Sequence, residues 1–257
     1  VSTPLISCRG LEIRAGERCL VRALDFDVAP GERWAVIGPN GAGKTSLLLV
    51  LAGARPAQDG TVQLSGRPLA QWSVPDLAGL RAMVADRWID PFATRVLDTV
   101  LAARYRLNLG AARPAAADRA QSVARDCLGV MDCLHLADRD VRHLSRGERQ
   151  RVALAAALAQ ETALVLLDEP ISHQDPRHQT QVLQALQARA ACTYVGALHD
   201  INAAARFATH ALLLHGDGRW VAGRAGEVLT RETLSHLFET SISEFISGPH
   251  RVFLSQD

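Results

Sequence analysis

The chain has 257 residues, 48% of them hydrophobic and 21% charged, with a formal net charge of +1. That length can bury a sizeable core as one large domain or two small ones, and near-neutral charge argues against a bulk electrostatic grip on nucleic acid. Aromatic residues make up only 5%, too few for the platforms that stack single strands, and no apolar run approaches the roughly 18 residues that span a bilayer.

The longest apolar runs, 47–54 and 152–159, read as buried helix segments. Val1-Ser2-Thr3-Pro4 lacks the charged and apolar regions of a secretory leader. The expectation is a soluble, intracellular chain that meets a membrane only through a partner protein. The five cysteines (Cys8, Cys19, Cys127, Cys133, Cys192) are scattered, with no C-x-x-C pair. They are expected to be reduced and structural.

In chain order, β-formers alternating with polar residues predict strands over 5–14 and 20–29. Pro30-Gly31-Glu32 is a turn, and Trp34-Ala35-Val36-Ile37 has the look of a buried parallel strand. A glycine-rich turn leads to a helix over 45–53, and strands follow at 61–64 and 80–85. From 91 to 160 alanine, leucine and arginine dominate, with helical spacing in 96–105 and 118–131. The Ala- and Pro-rich stretch 110–117 is expected to be an exposed loop. Then come strand 163–167, helix 177–190, strand 193–198, helix 201–207 and strand 211–214. Gly216-Asp217-Gly218 turns into Trp220-Val221. Strands and helices alternating on both sides of a helical insertion imply an α/β core with a parallel sheet.

Gly38-Pro39-Asn40-Gly41-Ala42-Gly43-Lys44-Thr45 fits G-x-x-x-x-G-K-[ST], between an apolar strand and a helix. Glycines let backbone N–H groups turn inward onto phosphate oxygens at a helix N-terminus. Lys44 would then reach the β- and γ-phosphates and the Thr45 hydroxyl would ligate Mg²⁺. Downstream, Leu164-Val165-Leu166-Leu167 ends in Asp168-Glu169. Asp168 is placed to hold Mg²⁺, and Glu169 to polarise an attacking water as general base. Leu144-Ser145-Arg146-Gly147-Glu148 precedes a helical run over 149–160. By itself this is a capping box, and a capped helix N-terminus with a small Gly147 is also a receptor for a γ-phosphate.

This order of phosphate loop, helical insertion, L-S-x-G-E, apolar strand with Asp-Glu and then His199 resembles the ATP-binding subunit of ABC transporters over essentially the whole chain. Residues 38–45 match the Walker A motif, 144–148 the signature and 165–169 the Walker B strand. Ser172-His173-Gln174-Asp175 sits where the D-loop belongs, and His199 matches the switch histidine. The resemblance implies an ABC-type P-loop ATPase fold: a mostly parallel sheet, an N-terminal antiparallel β subdomain and an inserted helical subdomain. It divides a single nucleotide-binding domain, 1–257, into a catalytic core (1–87 and 160–230), a helical subdomain (88–159) and a C-terminal extension (231–257).

It further implies a homodimer closing head to tail. ATP with Mg²⁺ is held by residues 38–45 and Ser46 of one copy and by Ser145, Gly147 and Glu148 of the other, with Asp175 at the junction. His199 contacts the γ-phosphate. Residues 86–106 would form the groove that receives integral membrane permease subunits, with Trp88, Phe92 and Tyr105 supplying apolar area. A periplasmic binding protein would act indirectly, nucleic acid would play no part, and the chain would sit on the cytoplasmic face of the inner membrane.

Four features depart from the family pattern. Asp86 stands where a glutamine is usual, so Mg²⁺ contact and water positioning would fall to a shorter, charged side chain. Arg146 replaces the commonest glycine of the signature. His173-Gln174 replaces small or apolar D-loop residues. The aromatic that stacks on adenine is missing from Ile13-Arg14-Ala15-Gly16-Glu17-Arg18, leaving a stacking arginine or solvated arginines as the alternatives.

Gly66-Arg67-Pro68-Leu69, Trp72-Ser73, Leu77-Ala78, Arg81-Ala82, Pro91-Phe92-Ala93-Thr94 and the run 223–230 resemble the ATPases of importers for cobalamin, haem and ferric siderophores, and the stretch 91–94 with Trp72-Ser73 is most similar to the cobalamin importer's subunit. The competing classes are a soluble ABC ATPase acting on ribosomes or DNA, and a nucleotide-binding regulator with weak turnover. A single module without heptad runs disfavours the first, and Glu169 the second.

Overall fold

In the computed structural model, which describes residues 3–86, 92–105, 114–248 and 250–256, β1 (Ile6–Ala15) opens with an alternation that breaks and resumes. Ile6 and Cys8 are buried, then Leu11 and Ile13, a phase change of one residue. The register against β2 (Arg18–Val28) shifts between Cys8 and Leu11, where Gly10 holds φ +59°. This bulge turns the second apolar pair back to the buried face. β3 (Arg33–Ile37) and α1 (Lys44–Leu51) follow. β4 (Asp59–Leu64) and the short β5 (Arg67–Pro68) complete an antiparallel sheet in the order β2-β1-β4-β5. These elements belong to a compact unit made of Val1–Trp72 and Ala191–Asp257, while Ser73–Ala190 form a second.

The second unit begins with α2 (Val74–Leu80), whose N-cap Ser73 accepts the Asp76 N–H at 3.3 Å. β6 (Arg81–Val84) follows directly. Three helices, α3 (Val96–Ala103), α4 (Pro114–Val130) and α5 (Arg146–Ala159), pack on one another. The last ten residues of α5 are all buried, which explains its run of alanines: close helix neighbours leave room for little else. β7 (Leu164–Asp168) lies parallel to β6, and α6 (Pro176–Gln187) closes the unit.

Residues 114–117, expected within an exposed loop, instead form the first turn of α4. Proline needs no N–H partner in a first turn and alanine is the strongest helix former, so Pro114 followed by alanines starts a helix. The rest of that expected loop, 110–113, lies outside the described residues.

Back in the first unit, β8 (Thr193–Ala197) and β9 (His210–Leu214) flank β3 in parallel, with α7 (Ile201–Phe207) between them in sequence. β10 (Trp220–Arg224) adds an antiparallel edge, giving β10-β9-β3-β8. β3, β8 and β9 are buried almost throughout, as parallel strands are. Short α8 (Ala225–Val228) and α9 (Arg231–Phe238) lead to a terminal hairpin of β11 (Ser241–Ser247) and β12 (His250–Gln256). Asn202 ties that hairpin to α7: its amide donates to the Phe253 carbonyl at 3.0 Å and its side-chain oxygen accepts the Phe253 N–H at 2.7 Å.

All five cysteines are free thiols, and burial pushes the Cys8, Cys127 and Cys133 thiols up, away from the reactive thiolate. Among the described residues no helix is long and apolar enough to cross a membrane.

Candidate nucleotide site

β3 ends at Ile37, and the chain turns through the glycine-rich loop straight into α1. Gly38 must be glycine, because a β-carbon there would run into the Leu214 carbonyl of the neighbouring strand. Gly43 takes φ +102°, and a β-carbon on it would stand 3.1 Å from the Leu20 β-carbon. The turn is closed by the Ala42 N–H donating to the Pro39 carbonyl at 3.2 Å, with Asn40 and Gly41 exposed above it.

Lys44 is only 7% exposed and folds back under the loop, its Nζ donating to the carbonyls of Gly38 at 2.7 Å and Pro39 at 3.2 Å. No side chain caps α1 and its first turn carries no acidic residue. Helix N–H groups, a positive helix end and a lysine cation therefore converge at a first turn that carries no acidic residue and no side-chain cap. That is a phosphate receptor. Thr45 and Ser46 stand in the same turn, exposed and half-buried.

The parallel register sets Val36 opposite Ala197. Two residues beyond each lie Gly38 and His199, so the loop and the exposed histidine leave the carboxyl ends of adjacent strands, the end at which open α/β sheets bind ligands.

In the second unit, β6 and β7 repeat the device. Val84 stands opposite Leu167, and two residues on come Asp86 and Glu169. Asp168 is 3% exposed at the very end of β7, a buried carboxylate that follows four buried apolar residues of the strand. Glu169 takes φ +53°, a left-handed conformation costly for a non-glycine residue. Its surroundings enforce it. The Glu169 carbonyl accepts from Ser172 Oγ at 2.7 Å and from Gln150 Nε2 at 3.4 Å. Gln174, buried, donates to the Pro170 carbonyl at 3.1 Å, which accounts for a glutamine where small residues are usual.

Ser145 caps α5 in a full capping box: the Glu148 N–H donates to Ser145 Oγ at 3.3 Å, and the Ser145 N–H to Glu148 Oε2 at 2.7 Å. The Ser145 N–H holds the Glu148 carboxyl below its usual range. A β-carbon on Gly147 would stand 3.0 Å from the His173 carbonyl oxygen, so glycine keeps that helix end open. Arg146 beside it is exposed. Asp175 caps α6, its Oδ1 accepting the His178 N–H at 3.0 Å and its Oδ2 lying 2.7 Å from His178 Nδ1. Those bonds lower its pKa.

Phe92 is 75% exposed and Tyr105 69%. A cavity of about 540 Å³ lies in the same unit, lined by Met83, Ala85, Thr94, Thr99, Ala103 and Ala157 among others. Trp88, Pro91 and Arg106 lie outside the described residues. Reading the sequence did not single out Gln150, and its only signal is a polar residue on the buried stretch of α5.

The glycine loop, the bare helix end and the paired strand-end carboxylates define a P-loop ATPase. Residues 21–172 match the model of the ABC transporter family, and the chain belongs to that family as one of its ATP-binding ATPases. It is 36% identical to the hemin import ATP-binding protein HmuV of Streptomyces coelicolor, over 96% of this chain and 86% of that one. It is also 36% identical to the protein of the same name from Pseudomonas fluorescens, over 98% of this chain and all of that one. Among solved structures, a metal-chelate type ABC transporter in an inward-facing conformation matches with a TM-score of 0.83 at 29% identity, covering 100% of this chain and 98% of that one. The ABC ATPase fold expected from the sequence is the fold observed.

Proposed function

We propose that this chain drives an importer for a metal chelate (haem, cobalamin or a ferric siderophore) by hydrolysing ATP between two copies closed head to tail. Hemin import in the names of its relatives favours haem. The observation that carries the catalytic part is the uncapped N-terminus of α1 over a buried lysine.

Residues 38–46 receive the phosphates on backbone N–H groups, and Lys44 exchanges its carbonyl partners for β- and γ-phosphate oxygens. Thr45, Asp168 and Asp86 offer hard oxygen donors, a set that suits Mg²⁺, which takes one or two carboxylates and fills its sphere with phosphate and water. Mg²⁺ bound there would neutralise charge on the β- and γ-oxygens. Glu169 accepts the proton of the attacking water, and His199 donates to the γ-phosphate. Ser145, Gly147 and Glu148 present the helix end of the second copy, with Asp175 beside them. Permease subunits dock on residues 86–106, a role supported by exposed Phe92 and Tyr105 and by a cavity lined in part by Thr94, Thr99 and Ala103 of that segment. The chain then works on the cytoplasmic face of the inner membrane, fed indirectly by a periplasmic binding protein and without nucleic acid.

The test is turnover of Glu169→Gln against wild type. A fall of about 10²–10⁴-fold is expected, with ATP still bound and the variant migrating as a dimer only when ATP is present. Unchanged turnover would sink the assignment of the base. Failure to co-purify with an integral membrane subunit would remove the import role.

A further inference from the structure

The β1–β2 hairpin packs directly on the phosphate loop. Leu20 lies against Gly43, and a β-carbon built on Gly216 would meet the Ala42 Cα at 2.9 Å and Arg18 Nη2 at 3.4 Å. Arg18, Gly216 and Ala42 therefore share one van der Waals shell at the rim of the loop. The Arg18 guanidinium is pinned there in plane: Nε and Nη2 both donate to the Gly216 carbonyl, at 3.1 and 2.9 Å. It is nonetheless exposed, so one edge is fixed while its face remains open.

Arg14, on the other side of the hairpin turn, is differently placed. Arg14 pairs with Glu12 at 2.9 Å and donates to the Glu17 carbonyl at 2.8 Å, which spends its charge and its donors within the hairpin. The residues between them, Ala15, Gly16 and Glu17, carry no ring.

A nucleotide whose phosphates occupy the loop must run its sugar and base outward over the loop's rim. We infer that Arg18 is the nucleobase platform of this site, its guanidinium face stacking on the base in the absence of an aromatic side chain. This rests on residues 38–45 being the phosphate receptor. Guanidinium planes stack on π-systems, gaining from both dispersion and the cation–π attraction. A platform touches the face of a base and leaves its edges unread, so it grips adenine and guanine alike.

The experiment measures binding of ATP, GTP and inorganic tripolyphosphate to the full chain and its variants by calorimetry. Tripolyphosphate reports the phosphate loop without a base. Arg18→Ala is expected to weaken ATP and GTP by the same factor, about five- to thirty-fold, and to leave tripolyphosphate unchanged. Arg18→Lys keeps the charge without the plane and is expected to lose nearly as much. Arg14→Ala is expected to bind all three as wild type does. Equal weakening of ATP and tripolyphosphate, restoration by lysine, or an effect at Arg14 in place of Arg18 would each overturn the platform. A wild-type chain that fails to bind tripolyphosphate would overturn the phosphate-loop reading instead, which keeps the two failures apart.

Discussion

Gly147, in the first turn of α5, faces the backbone of His173 so closely that a β-carbon would come within 3.0 Å of the His173 carbonyl oxygen. The signature segment and the loop after β7 therefore touch at a point with no slack. Because His173 itself takes φ +60°, its carbonyl is fixed by a turn that cannot move cheaply.

From this contact we predict that Gly147→Val displaces the loop carrying Glu169 and Asp175. ATP bound by one copy is expected to keep its affinity, since the phosphate loop is untouched. ATPase turnover is expected to fall about a hundredfold, because small displacements of catalytic groups cost that much. Binding by fluorescence titration and turnover by phosphate release separate the two. Parallel loss of both would mean the glycine serves folding alone.

Gln150 makes the complementary prediction. Its amide joins the Ser172 N–H and Oγ as a donor to the Glu169 carbonyl, and that residue sits at φ +53°. Gln150→Leu removes the donor while keeping comparable bulk. A reduction in kcat of about tenfold, with KM for ATP near wild type, is expected for a positioning residue, and an unchanged kcat would dismiss it.

Which parts of this arrangement could be read in advance follows from how local their causes are. The phosphate loop, the strand before it and the helix after it depend on neighbours within a few residues, so the spacing of Gly38, Gly43 and Lys44 announced them. The capping box at Ser145 and Glu148 is equally local. The start of α4 at Pro114 is also local, but a stretch rich in Ala and Pro reads as a loop, whereas here the proline opens a helix. Gln150 does not stand out in the sequence, and Gln174 stands out there only as an unusual residue, because each acts through a carbonyl that the fold brings to it. The terminal hairpin was missed for the same reason: Asn202, fifty-one residues from Phe253, fixes it in place. In the sequence Arg18 stands between two alternatives because its anchor, Gly216, is 198 residues away.

The capping box also carries a pH dependence. Glu148 titrates below the ordinary carboxylate value of 4.5 because the Ser145 N–H bonds its ionised form. The stability it contributes is complete above pH 4.5 and is lost as pH falls through the lower folded value. Glu148→Gln is expected to be less stable than wild type by about 0.5–1 kcal/mol at pH 7. Urea unfolding at pH 7 and near pH 3.5 should show that difference shrinking with acid. A gap independent of pH would mean the carboxylate charge plays no part in the cap.

Asp86 tests whether a charged residue can do the work of an amide at the end of β6. Parallel register carries it to the same end as Glu169, and it is exposed there. With Asp86→Ala the Mg²⁺ concentration for half-maximal turnover is expected to rise about tenfold, the lower end of what an outer metal contact is worth. Asp86→Gln, which keeps an oxygen in reach, should recover most of it. If alanine leaves both rate and metal dependence untouched, the residue has no place in the metal site.

Phe92 separates turnover from transport. Its ring is 75% exposed, beyond the strand that ends at Val84 and before α3, a poor place for a phenylalanine unless a partner covers it. Burying such a ring contributes roughly 1.5–3 kcal/mol, so Phe92→Ser should weaken attachment to the permease about tenfold or more. No group that touches ATP is altered, and basal hydrolysis by the isolated chain should stay within about twofold of wild type. Reconstituted transporter would then hydrolyse ATP while importing little, because force generated at the nucleotide has lost its purchase on the membrane subunit. Equal loss of both activities would instead place Phe92 in the folding of the helical unit.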